Sequence, residues 1–180
     1  MIHDAKLLDT LAEMPAEIFN ASVFRATRQN LDPLTASSYG GRWMHPGGAG
    51  VLYTSLARDG AIAELSFHWG QQKPLPTKPA LLHTLSVVAK QTLRLVRADL
   101  MALGVSDTDF AAINCPRAQQ IGDAVRFLEF DGLIAPSARW SCDNLMLFPD
   151  NMGTDTRLEV VRSEGIDWLS WARKNGFLDP

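Results

Sequence analysis

Five glycines between positions 40 and 50 set the strongest constraint on this chain. They lie in the run Ser38-Tyr39-Gly40-Gly41-Arg42-Trp43-Met44-His45-Pro46-Gly47-Gly48-Ala49-Gly50-Val51-Leu52-Tyr53. Glycine at this density lets a backbone adopt positive φ and pass close to a ligand, and Arg42 adds a planar fork of donors suited to phosphate. The same run also fits a surface connection in which Trp43 covers the core. Residues 29–50 form one long connection, a length that is uncommon in a compact domain and often functional.

The rest of the chain reads as a mixture of helices and short strands. Residues 4–20 place Leu7, Leu8, Leu11 and Met14 on one helical face, with Pro15 late in the run. Residues 23–28 read as a strand carrying Arg25 and Arg28, and 51–54 as a second strand. A helix over 57–69 has Ile62, Leu65 and Trp69 as its buried stripe, with Glu64 and His68 four residues apart beside it. Segments 81–89 and 92–96 have strand content, and Ser106-Asp107-Thr108-Asp109 suits the cap of a short helix. A stronger helix spans 117–130, three short strands cover 133–135, 145–148 and 158–162, and a last helix covers 165–175. There is no regular βαβ alternation and no internal repeat. The expectation is a single α+β domain over 1–180, built on a twisted, mostly antiparallel sheet with flanking helices.

Composition removes several functions. The sequence is 46% hydrophobic and 21% charged, ordinary for a globular protein, and its net charge of −3 does not suit a nucleic-acid-coating surface. Two cysteines, Cys115 and Cys142, make no disulfide scaffold and lack metal-ligand spacing. No apolar run reaches membrane-spanning length and the N-terminus is no signal peptide, so the expected location is cytoplasmic, away from membranes. The glycine cluster is not a P-loop. It leads into a strand, whereas a dinucleotide fingerprint leaves a strand and opens a helix. His3, His45, His68 and His83 show no zinc-hydrolase spacing, so no metal is expected, and there is no nucleophile elbow. What remains is a cleft with arginines, an aromatic and a carboxylate.

Several blocks, in order, resemble the RES-domain family. They are Arg25 in its strand, Tyr39-Gly40-Gly41-Arg42-Trp43, Leu52-Tyr53-Thr54-Ser55, Ala61-Ile62-Ala63-Glu64, Gln120-Ile121-Gly122-Asp123, Ile134-Ala135-Pro136-Ser137-Ala138 and Asn144-Leu145-Met146-Leu147. The similarity spans about residues 22–150. Met44 and Phe148 depart from it, each standing where the family is expected to carry asparagine. The arginine, glutamate and serine that name the family fall on Arg25, Glu64 and Ser137. The resemblance implies an ADP-ribosyltransferase-like fold, NAD as substrate, and a toxin of a bacterial toxin–antitoxin pair, often restrained by an Xre-type antitoxin. Family members degrade NAD by phosphorolysis or hydrolysis, and one branch modifies a protein instead.

On that basis Glu64 would hold the ribose and stabilise positive charge as the nicotinamide bond breaks. The leaving group is already cationic, so one carboxylate suffices. Arg25 and Arg42 would clamp phosphate, Gly41 would let the loop approach the dinucleotide, and Tyr53 would stack on the cationic ring. Ser137 would either bond the ribose or orient Glu64. Each has a structural alternative: a solvated glutamate, surface ion pairs for the arginines, a core tyrosine and a turn serine. The leading expectation is NAD cleavage with phosphate or water. Protein ADP-ribosylation and an inactive partner-binding module are the alternatives, with the antitoxin expected to cover the cleft.

Overall fold

The computed structural model describes residues 3–179. Asp4 caps the first helix, α1 (Ala5–Ala12), by accepting the Lys6 N–H at 3.0 Å. Leu7 and Leu11 are its buried positions, as the periodicity requires, but α1 stops at Ala12 and does not run toward residue 20. Pro15 has no N–H to donate and cannot extend the helix. The chain re-enters at once as β1 (Ala16–Arg28), more than twice the length expected.

β1 pairs antiparallel with β3 (Ala80–Arg94) from Ala16↔Leu93 to Arg28↔Ala80. β3 is one strand where the sequence pattern suggests two. The polar pair Lys90-Gln91 breaks the hydrophobic run but not the strand, because both N–H groups donate to Oδ2 of Asp131, at 2.6 and 3.0 Å. Long-range pairing here overrides local propensity.

β2 (Leu52–Ser55) follows the glycine loop and pairs antiparallel with β5 (Asp143–Leu147), which pairs antiparallel with β4 (Gly132–Pro136). β4 runs parallel to the end of β3, through Thr92, Leu93 and Arg94. The sheet order is β1-β2-β5-β4-β3-β6, with β6 (Arg157–Ile166) antiparallel to β3 over Ala80–Val88. The additional β1–β3 pairing closes the first five strands into a ring, and β1 meets β2 through the single pair Phe24↔Ser55. The α+β architecture with a mostly antiparallel sheet is therefore as expected.

Strand alternation divides the apolar residues into an inside and an outside. Val23, Leu52, Leu85, Val87, Ile134, Leu145 and Leu147 form one fully buried cluster with Phe19 and Ala89. On the other face Leu93, Leu133 and Met146 pack with Leu7 and Leu11 of α1, with Trp43 and Met44, and with Ile121, Ala124 and Val125 of α5 (Pro116–Phe127). Each such aliphatic side chain contributes about 1.5–3 kcal/mol on burial. At Gly122 a Cβ would lie 1.9 Å from the Trp43 carbonyl oxygen, so α5 packs directly on the backbone of the glycine loop.

The remaining helices are α2 (Arg58–Gly70), α3 (Arg97–Ala102), α4 (Asp107–Ala111) and α6 (Trp168–Lys174). Ser106 caps α4 by accepting the Asp109 N–H, as its sequence suggests. α5 ends before the expected 130, since Glu129 takes a left-handed conformation with φ 64°. α6 begins only after Asp167, its cap, because residues 165 and 166 still belong to β6. Among the described residues no helix is long and apolar enough to cross a membrane.

Candidate active site

Helix α2 packs Ala61 and Ile62 against Phe24, Ala26 and Leu82, and Leu65 against Trp168 and Ala172 of α6. That packing fixes the rotation of the helix and turns Glu64 toward the ends of β4 and β5. Oε1 of Glu64 accepts the Ser137 hydroxyl at 2.9 Å and the Asn144 side-chain amide at 2.8 Å. A carboxylate accepts only, so the Asn144 nitrogen must face it. Both bonds fall on Oε1, and Oε2 accepts no side-chain hydrogen bond among the described residues.

Ser137 is tied on all sides. Its single proton goes to Glu64, and its oxygen accepts the N–H groups of Arg139, at 3.1 Å, and Trp140, at 3.3 Å. Of the two roles the sequence leaves open for it, this geometry fits the orienting one. Asn144 is one residue that the sequence reading did not place with Glu64, although it opens one of the blocks that carry the family resemblance. Its Oδ1 is buried without a partner.

Two arginines lie within electrostatic reach of the carboxylate. Arg42, from the glycine loop, donates through Nη2 to the Ala112 carbonyl at 2.8 Å, and its buried Nη1 has no partner. Arg139, from the β4–β5 turn, donates to the carbonyls of Ala111 at 2.9 Å and Ala112 at 3.3 Å, and lies 3.6 Å over the Phe67 ring. Burial and then repulsion by Arg139 hold the Arg42 guanidinium below its usual range, against the pull of Glu64. Burial lowers Arg139 too, and Glu64 again opposes it. Arg139 was not read from the sequence, because an arginine in a tight turn carries no signal of its own.

Gly41 and Tyr53 meet as a loop-to-strand contact. A Cβ at Gly41 would lie 2.6 Å from the Tyr53 hydroxyl oxygen, so glycine is required for the approach. The apolar part of Tyr53 packs on the core, and its buried hydroxyl makes no full hydrogen bond among the described residues, although the Trp43 backbone lies close enough to influence it. Burial pushes the phenol up to about 12. The structure thus directs the hydroxyl at the loop.

Arg25 stands apart from the Glu64 group. Phe24 and Ala26 face α2, so strand alternation sends Arg25 to the opposite face of β1. There it donates to the Thr35 carbonyl at 3.0 Å, its Nη1 is buried without a partner, and burial lowers it to about 10 against the pull of Asp32. It is nevertheless adjacent to Phe24, where β1 meets β2.

A cavity of 420 Å³ lined by Pro136, Ser137, Trp140, Ser141, Cys142 and Asp143 adjoins the site. A larger one, of 480 Å³ around Lys90, Asp131 and Asp155, holds none of these residues. Cys142 lies 3.3 Å from the Ser55 hydroxyl, and burial raises its thiol above the ordinary range, so it is a poor nucleophile. His68 is exposed on the rim, and His83 is buried between Thr27 and Ser163. Met44 and Phe148, the two departures from the family pattern, are 1% and 0% exposed in one core cluster, where a side chain without hydrogen-bonding needs fits. Among the described residues no group of three or more His, Cys, Asp or Glu side chains is placed to hold a metal ion.

The fold is shared with a solved structure. A chain of the M. tuberculosis MbcT–MbcA toxin–antitoxin complex superposes with a TM-score of 0.83 at 18% identity, covering 94% of this chain and 97% of that one. No curated protein matches the sequence. The RES domain profile matches residues 19–168, which takes in all the family-like blocks and extends them through β6 to the start of α6. With most of its 180 residues so matched, the chain belongs to the RES-domain family.

Proposed function

We propose that this chain is the toxin of a toxin–antitoxin pair and that it consumes NAD by breaking the nicotinamide–ribose bond. The observation that carries the reading is Glu64, held through Oε1 by Ser137 and Asn144, with no side-chain hydrogen bond to Oε2 among the described residues, and within electrostatic reach of Arg42 and Arg139. The Arg42 Nη1, Tyr53 hydroxyl and Asn144 Oδ1, sealed from solvent and unpartnered among the described side chains, would become a donor, a donor–acceptor and an acceptor for a polar ligand that opens the site. Membership of the family, and a solved toxin–antitoxin complex of the same fold, support it.

In this reading the electron pair of the C1″–N bond leaves with nicotinamide, which departs neutral and needs no general acid. Positive charge develops on the ribose, and the preorganised Glu64 carboxylate stabilises it without reorienting. Arg42 and Arg139 hold phosphate oxygens, and the Tyr53 hydroxyl joins the polar lining. Arg25, one residue past the Phe24↔Ser55 pair and on the opposite face of β1, would anchor the end of an extended dinucleotide remote from the bond that breaks. Phosphate yields ADP-ribose 1″-phosphate, and water yields ADP-ribose and a proton. An antitoxin restrains the activity by covering this cleft.

The test is incubation of the purified chain with NAD, with and without phosphate, following nicotinamide release and any label transferred to protein. Nicotinamide release without labelled protein supports the reading. Labelled protein would replace it with ADP-ribosyl transfer, and intact NAD would overturn it.

A further inference from the structure

Residues 106–114 are bounded by Val105 and Cys115, which are 1% and 0% exposed, yet none of the nine is buried. Arginine contacts hold this segment. Arg42 and Arg139 hold the carbonyls of Ala111 and Ala112. The Phe110 ring is approached by two guanidiniums, that of Arg97 at 4.0 Å and that of Arg42 at 5.5 Å from its centre. Arg97 also pairs with Asp107. The segment is therefore held by arginine contacts and by the half-buried Phe110 ring, which packs against the core, over a site whose Arg42 Nη1 is sealed from solvent and unpartnered among the described residues.

We infer that Arg42 and Arg139 form a diphosphate-binding site that the chain's own carbonyls occupy, with residues 106–114 as a cover that the ligand displaces. A segment with no fully buried side chain, anchored in the core only through the half-buried Phe110 ring among the described residues, opens at modest cost. The carbonyls offer the two guanidiniums only neutral acceptors, whereas a diphosphate offers anionic oxygens that a guanidinium can bind in bidentate fashion. A diphosphate also relieves the mutual repulsion of the two arginines, which the carbonyls of Ala111 and Ala112 do only weakly. Val105 and Cys115 stay in the core and act as the fixed ends of the moving piece. That the diphosphate belongs to NAD rests on the proposed NAD-consuming function; the displacement itself does not.

The experiment is backbone amide exchange of the intact chain, read over residues 106–114, with inorganic pyrophosphate as the probe. Pyrophosphate carries neither ribose nor nicotinamide, so its result stands whether or not the chain cleaves NAD. Exchange is expected to accelerate about tenfold on adding pyrophosphate, as the cover leaves its anchors. In Arg139→Gln the segment exchanges fast from the start and responds little further. Amides of β1 and β3 serve as the folding control. If Arg139→Gln fails that control, Phe110→Ala, which removes the ring that Arg42 and Arg97 approach, takes its place. Unchanged or slower exchange of wild type with pyrophosphate would overturn the inference, as would a folded latch variant that exchanges like wild type.

Discussion

The Ser137 hydroxyl donates to Oε1 of Glu64 at 2.9 Å while its oxygen accepts two backbone N–H groups of the same turn. The β4–β5 turn and the α2 carboxylate are thereby locked together, and the turn also carries Arg139. Ser137→Ala removes the hydroxyl that links them. A hydrogen bond to a charged group is worth about 1.5–3 kcal/mol, so NAD turnover should fall by roughly tenfold or more. If Ser137 orients the carboxylate, the role its contacts fit, the loss should appear mainly in kcat, measured as initial rates of nicotinamide release. A loss confined to KM would point to ribose contact instead.

Asn144 makes the second bond to the same carboxylate oxygen. Asn144→Ala should lower turnover about tenfold, by the loss of one charge-assisted hydrogen bond. Asn144→Asp should be worse, since it puts a second carboxylate within contact of Glu64. The order of the two variants in kcat, with thermal unfolding to confirm folding, checks the claim.

The chain has two tyrosines, and the Tyr53 phenol is raised by burial to about 12. A spectrophotometric tyrosinate titration should show a late step near 12 that Tyr53→Phe removes. The folded state holds this proton above pH 10, where the unfolded state releases it. The contribution of Tyr53 to stability is thus fully present below pH 10 and lost as pH rises toward 12. Denaturant midpoints across that window should fall less in Tyr53→Phe than in wild type.

The glycine loop depends on α5 as much as on its own residues. Gly122→Ala drives a Cβ to 1.9 Å from the Trp43 carbonyl oxygen, whereas Gly153→Ala meets nothing within 4 Å. The first should lower stability by about 1–3 kcal/mol or more. The second should stay within about 0.5 kcal/mol. Thermal unfolding of both variants compares them directly.

The legible parts are those where local pattern and final environment agree. Glu64 lies on a periodic helix, the glycines mark a real loop-to-strand approach at Gly41, and Ser137 follows Pro136 in a turn. The long strands β1 and β3 are not legible, because their extent comes from pairing with each other and, at Lys90-Gln91, from a side chain forty residues on. Arg139 and Asn144 gain their roles only when the β4–β5 turn meets α2. Arg25 carries the family signal, but the face it takes depends on the register of a strand that begins just after Pro15, well before the pattern suggests. Met44 and Phe148 stand out in a linear reading only as departures from the family pattern, and three-dimensional burial makes them core residues.

If the Glu64 carboxylate drives cleavage of the nicotinamide–ribose bond, removing its charge must stop the reaction while the fold survives. Nicotinamide release from NAD is the quantity to measure, for wild type and Glu64→Gln, after amide exchange confirms that both are folded. Wild type should turn over NAD, and Glu64→Gln, which keeps the shape and removes the charge, should lose at least about a hundredfold. Near-normal NAD loss by folded Glu64→Gln would contradict the role assigned to the carboxylate.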